Sequence, residues 1–238
     1  MGLTIHYTLS VHEPLTSREA RALVGRAQAF ARESEAESVS RLIKVESDFP
    51  LAHEWLVVPR SRGGATHVDV PPETGHIFTV DLGRDCEALL LGLCRYPSTV
   101  KHRESELPTK VGGGWRLSYF CKTQYASRQG WEHFLRCHRT AVELLNSWRT
   151  LGVNVRIKDE GGYWPHRSER ILRARLDEMN GVVAAMGGAL KDDSRGLSVE
   201  SPIFEHPHFE RLEHQGQQQH GAKMREGVAA IAKAARRR

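Results

Sequence analysis

Residues 115–164, WRLSYFCKTQYASRQGWEHFLRCHRTAVELLNSWRTLGVNVRIKDEGGYW, decide the fold. Trp115, Leu117, Tyr119 and Cys121 alternate with Arg116, Ser118, Phe120 and Lys122, which is the period of a strand. Trp131, Phe134, Leu135, His138, Val142 and Leu145 then fall on one face of a helix over 129–150. On its opposite face Arg136, Arg139 and Glu143 are expected to be exposed. Val153, Val155 and Ile157 alternate with Asn154, Arg156 and Lys158 as a second strand. Beyond Asp159-Glu160-Gly161-Gly162, the residues Leu172, Leu176, Met179, Val183 and Met186 stripe a further helix, which Gly187-Gly188 is expected to stop.

Upstream the same order recurs without sequence repetition. Ile5, Tyr7, Leu9 and Val11 alternate with polar neighbours over 3–11. Thr16-Ser17-Arg18-Glu19 has the spacing of a capping box, and Ala20, Leu23, Val24, Ala27 and Phe30 continue it as a helix. Residues 38–46 read as one strand of uncertain register. Between the two units lies an inserted β segment, 53–114, with strands at 54–58, 77–82 and 88–94. Leu89-Leu90-Leu91 is a continuous apolar run, as in a strand covered on both faces. The flanking stretches 59–75 and 97–114 show no period and read as long polar loops.

These elements predict an α+β fold. A largely antiparallel sheet carries helices on one face in a split β-α-β (ferredoxin-like) arrangement with inserted strands. Residues 1–190 form the domain, 191–214 an irregular extension packed on it, and 215–238 a linker with a basic amphipathic helical tail. Deletion of 215–238 is expected to leave the unfolding midpoint nearly unchanged, because the linker has little apolar surface to pack.

Composition narrows the function classes. Apolar residues at 39% and charged residues at 26% are those of an ordinary globular chain, and no apolar run is long enough to span a membrane. The opening residues lack a secretory pattern. Cys86, Cys94, Cys121 and Cys137 are widely spaced without a CxxC, which suits free thiols in a cytoplasmic, reducing setting. Lys223, Arg225, Lys233, Arg236, Arg237 and Arg238, opposed by Glu226 alone, account for the whole net charge of +5. The body is therefore charge-balanced, and any acidic or nucleic-acid partner is expected to engage 221–238.

The candidate site follows from topology. A helix joining strands 115–122 and 153–158 makes them parallel, so their carboxyl ends share a rim. That rim gathers Lys122, Gln124 and Tyr125 with Asp159, Glu160, Tyr163 and Trp164. A lysine beside two carboxylates can shift pKa values for acid–base work, and Tyr163 and Trp164 can stack on a ligand. Asp159 and Glu160 before the Gly-Gly turn disfavour a nucleotide phosphate there and favour a cationic, sugar-like or metal-bound ligand.

Metal signals are slight. His133 and Cys137 are one helical turn apart without a third ligand at that spacing, and His138 reads as a core histidine. His206-Pro207-His208 is rich in ligand atoms but lacks a defined scaffold. No P-loop, G-x-S-x-G or H-E-x-x-H occurs, and no motif implies a cofactor.

The expected function is a binding or regulatory module for a small molecule or peptide, sited around Lys122 and Glu160. The alternatives are an enzyme with Glu160 or Asp159 as general acid or base, and a nucleic-acid binder acting through the tail.

Overall fold

Alternation puts Ile5, Tyr7, Leu9 and Val11 of β1 (Thr4–Val11) into the core and leaves His6 in solvent. The computed structural model describes residues 3–59, 64–193, 210 and 212–214. It is a mixed α+β chain built on a seven-stranded sheet, in which every pairing is antiparallel.

In chain order the sheet contains β1, β2 (Ser38–Val39), β3 (Ile43–Val45), β6 (Thr74–Asp81), β7 (Leu89–Arg95), β10 (Trp115–Lys122) and β11 (Asn154–Asp159). Two separate ribbons complete the β structure: β4 (Glu54–Pro59) with β5 (Ala65–Val70), and β8 (Thr99–His102) with β9 (Ser105–Pro108). The sheet order is β11-β1-β10-β7-β6-β2, with β3 also on β6. Helix α2 (Trp131–Ser147) joins β10 to β11, and β1 lies between those two strands, antiparallel to both. Their carboxyl ends therefore share one rim.

Helix α1 (Ser17–Arg32) starts at the expected capping box. The Thr16 hydroxyl accepts the Glu19 N–H at 3.2 Å, and Glu19 Oε2 accepts the Thr16 N–H at 2.8 Å. Thr16→Ala is expected to cost about 0.5–2 kcal/mol in urea unfolding, because it orphans a first-turn donor.

The helices cover one face of the sheet. Leu23, Val24 and Ala27 of α1 and Phe134, Val142 and Leu145 of α2 pack with Ile5, Leu9, Phe78, Leu89 and Leu91. Helix α3 (Glu169–Asp193) adds Leu172 and Leu176. A second, smaller core covers the other face of β6 and β7, where Ile77, Leu90 and Cys94 meet Val45, Ala52, Val70 and Tyr96. This two-sided cover explains the unbroken apolar run at 89–91.

Several expectations are corrected. The single strand at 38–46 is two strands, because Ser40 interrupts the ladder. Its N–H donates to the Thr79 carbonyl and its Oγ accepts the Thr79 N–H, each at 2.9 Å. The stretches 59–75 and 97–114 contain β5, β8 and β9 rather than only loops; residues 60–63 lie outside the described residues. Gly187-Gly188 does not stop α3, since a mid-helix glycine costs only about 1 kcal/mol relative to alanine. Glu210 and residues 212–214 are helical, not irregular. The rest of 194–238, including His206, His208 and the basic tail, lies outside the described residues.

On α2, Phe134, Leu135, His138, Val142 and Leu145 are buried as expected, whereas Trp131 is only half-buried. Glu143 is exposed, but Arg136 and Arg139 are half-buried. Arg136 Nη1 donates to the Glu35 carbonyl at 2.9 Å, and Arg139 Nη2 meets Glu35 Oε2 at 2.8 Å. These contacts tie α2 to the chain that leaves α1.

Candidate functional site

The rim forms where β1 begins and β10 and β11 end. Thr4 pairs with Lys122 on one side, and Ile5 pairs with Asp159 on the other. Lys122 and Glu160 thus both flank Thr4, but they take different partners. The Lys122 N–H donates to Glu87 Oε2 at 2.9 Å, and its Nζ lies 3.8 Å from Glu87 Oε1. Glu160 Oε2 accepts the Thr4 N–H at 3.1 Å, while Oε1 lies 3.4 Å from His6 Nε2.

Asp159 turns inward. Its side chain and that of His138 are both 0% exposed, with Oδ2 3.3 Å from His138 Nε2. His138 Nδ1 lies 2.8 Å from the Thr123 hydroxyl, itself buried at the end of β10. Asp159 also accepts the Gly161 N–H at 2.7 Å and the Trp164 N–H at 2.9 Å. Burial pushes its pKa up, but the His138 hydrogen bond and charge, with the Trp164 and Gly161 N–H groups, outweigh that and hold it below the ordinary value. Phe134 and Tyr163 wall the imidazole at centroid distances of 5.6 and 5.9 Å. This network joins β10, α2 and β11 through side chains alone.

Gln124 is also enclosed. Its Oε1 accepts the Leu3 N–H at 3.0 Å, and its Nε2 donates to Asn180 Oδ1 of α3 at 2.7 Å. Tyr125 is half-buried. Tyr163 is buried, which raises its phenol pKa, and Trp164 is half-buried with the Arg149 guanidinium 5.6 Å from its ring. The seven rim residues therefore divide. Asp159, Gln124 and Tyr163 belong to the interior, and Lys122 and Glu160 face outward with Tyr125 and Trp164 between.

The chain matches no protein-family model, no curated protein and no solved structure. Its function has to be read from its own groups.

Among the described residues, no group of three or more His, Cys, Asp or Glu side chains is placed to hold a metal. Cys137 donates to the Leu82 carbonyl at 3.1 Å and lies 3.6 Å from His133 Nε2, which itself sits 2.9 Å from the Arg84 carbonyl. The pair thus anchors α2 to the turn between β6 and β7. Contact with Cys121 pushes the Cys86 thiol far up, and contact with Cys86 does the same to Cys137, so both stay protonated.

One surface beside the rim was not singled out from sequence. On the face away from the helices, β11, β1 and β10 carry Lys158–His6–Phe120 in one register row and Arg156–Thr8–Ser118 in the next. Phe120 is 38% exposed, 6.3 Å from the His6 ring and stacked at 5.1 Å on Tyr119. The signal was present as the polar half of each alternating strand. An outward-facing phenylalanine is common enough alone that only its neighbours across the sheet give it meaning.

Proposed function

We propose that the chain is a binding module whose ligand sits on the outer sheet face at the rim, against His6, Phe120, Lys122 and Glu160. One observation carries this reading. The groups best suited to acid–base chemistry are spent internally, whereas an aromatic flanked by cations is left uncovered. A general base must reach the proton it removes. Asp159 has both oxygens engaged and no exposed side-chain surface.

A small molecule or peptide is the ligand class expected from sequence; the face itself offers Phe120 as a stacking surface. The enzyme alternative rests on Glu160, whose carboxylate and the His6 imidazole form an outward-facing pair. A cytoplasmic, reducing setting is part of the proposal, and the four unpaired thiols support it. No described helix is long and apolar enough to cross a membrane. The strand β1 lying between β10 and β11 supports assigning the core to the split β-α-β arrangement.

The test is an amide NMR titration of the protein with fractionated host extract. Shifts confined to His6, Phe120, Lys122 and Glu160 are expected. Shifts centred instead on the groove of about 320 Å³ lined by Glu35, Glu132, Leu135, Arg136 and Arg139 would move the site to the far side of α2.

A further inference from the structure

Building on that binding face, we infer that it takes single-stranded nucleic acid, with an unpaired base stacked on Phe120 and phosphates held by Arg156 and Lys158. Three observations converge on this ligand.

The first is charge. Each acid bordering the face has a cation or imidazole partner: exposed Glu160 with His6, exposed Glu87 with Lys122, and the mostly buried Glu54 with Arg116. Arg156 and Lys158 are exposed on β11, and neither is within ion-pair distance of a carboxylate among the described residues. The local surplus is therefore positive although the body as a whole is balanced, and it lies in two adjacent register rows.

The second is the aromatic. Phe120 lies on β10 beside His6 of β1, backed by Tyr119 at an interplanar angle of 8°. Lys122 Nζ now stands 5.5 Å from the ring centroid. That side chain is half-exposed and flexible, so a base can displace it from the ring while the ammonium stays with Glu87. Stacking on an exposed ring is open to any unpaired base and closed to bases inside a duplex.

The third is shape. The open face is three strands wide, which is about 10 Å between the outer strand axes. It ends at β10, where Arg116 Nε meets Glu54 Oε1 of the β4–β5 ribbon at 3.0 Å. Same-face rows repeat every ~7 Å, close to the spacing of an extended nucleotide chain, so the face fits two or three nucleotides. Thr8, Ser118, Ser10 and Asn154 offer hydrogen-bonding groups along that track. Arginine and lysine on an edge strand also discourage strand addition, but that role needs no aromatic beside them.

The test is fluorescence anisotropy of the full-length chain with a fluorescein-labelled twelve-nucleotide single strand and its duplex, over a salt series. The single strand is expected to bind about tenfold or more tightly than the duplex. Phe120→Ala is expected to weaken it about tenfold. The double substitution Arg156→Gln with Lys158→Gln is expected to weaken it and flatten the log–log salt slope by about 1.4, at ~0.7 per contact on a single strand. Circular dichroism melts of both variants should match the parent, since these side chains face solvent. Absent binding at low salt, equal binding of duplex, or binding that these variants leave unchanged would overturn the inference, the last outcome placing the affinity away from this face. If oligonucleotide fails while an extract component shifts His6 and Phe120, the ligand class falls and the binding face stands.

Discussion

Asp159→Ala is expected to destabilise the protein by about 3–5 kcal/mol in urea unfolding, among the largest effects of any single substitution in this chain. The magnitude follows from what is left behind. His138, fully enclosed, loses the partner of its Nε2. The N–H groups of Gly161 and Trp164 lose their acceptor at the turn into α3. Burying polar groups without partners costs far more than an exposed ion pair returns. Asp159→Asn keeps the volume and some of the hydrogen bonds, so it should cost less.

Asp159 also carries a pH dependence. Asp159 has a folded pKa below its unfolded value of about 3.9. The unfolded chain therefore binds the proton more readily than the folded one. The contribution is fully present above the unfolded value and is lost as pH falls through the lower folded value. Wild-type stability should fall on acidification below about pH 4, and Asp159→Asn should flatten that limb relative to the parent. An acid limb identical in the two proteins would show that Asp159 does not carry it.

Phe134→Ala is expected to cost about 3–5 kcal/mol, since the ring is 0% exposed and its loss leaves a cavity the site cannot fill. The ring lies 5.7 Å from Trp131 and 5.6 Å from His138, so it closes the wall around the buried imidazole as well as filling the core. Glu143→Ala on the exposed side of α2 is the control. Its only ion pair in the described structure is a 4.0 Å contact with Arg167, and its loss should stay within about 0.5 kcal/mol. A neutral Phe134→Ala in denaturant unfolding would mean that α2 presents a different face to the sheet.

Long periodic elements are legible in the amino-acid sequence. The alternation of β1, β10 and β11 and the stripe of α2 come from local spacing, and spacing survives whatever the strands pair with. The capping box was legible for the same reason, as both partners lie within one turn. The ribbons were not. β8 and β9 are four residues each, turning through Arg103 at φ 57°, and β5 is one six-residue segment in which Val68 and Val70 are buried, Val70 against the second core. Four-residue strands give too few alternations to separate a strand from a loop. Gly187-Gly188 misled in the opposite direction, because a helix breaker acts by a penalty of about 1 kcal/mol that the rest of α3 outweighs.

The rim divides along the same line. Connectivity alone required the ends of β10 and β11 to meet, because a helix returning the chain to a parallel strand leaves no other choice. Chain order thus brings Lys122, Asp159 and Glu160 to one rim. It did not determine which of them faces solvent. Asp159 and Glu160 are chemically alike and adjacent, yet one is sealed against a histidine 21 residues earlier and the other is held by Thr4, 156 residues away. Gln124 likewise looked available and is bound to Leu3 and to Asn180. The amino-acid sequence determined the long periodic strands, the helical stripes and the shared strand ends through local periodicity and chain order. Burial, partner and the uncovered aromatic–cation face came only with tertiary structure, because each depends on groups brought together from opposite ends of the chain.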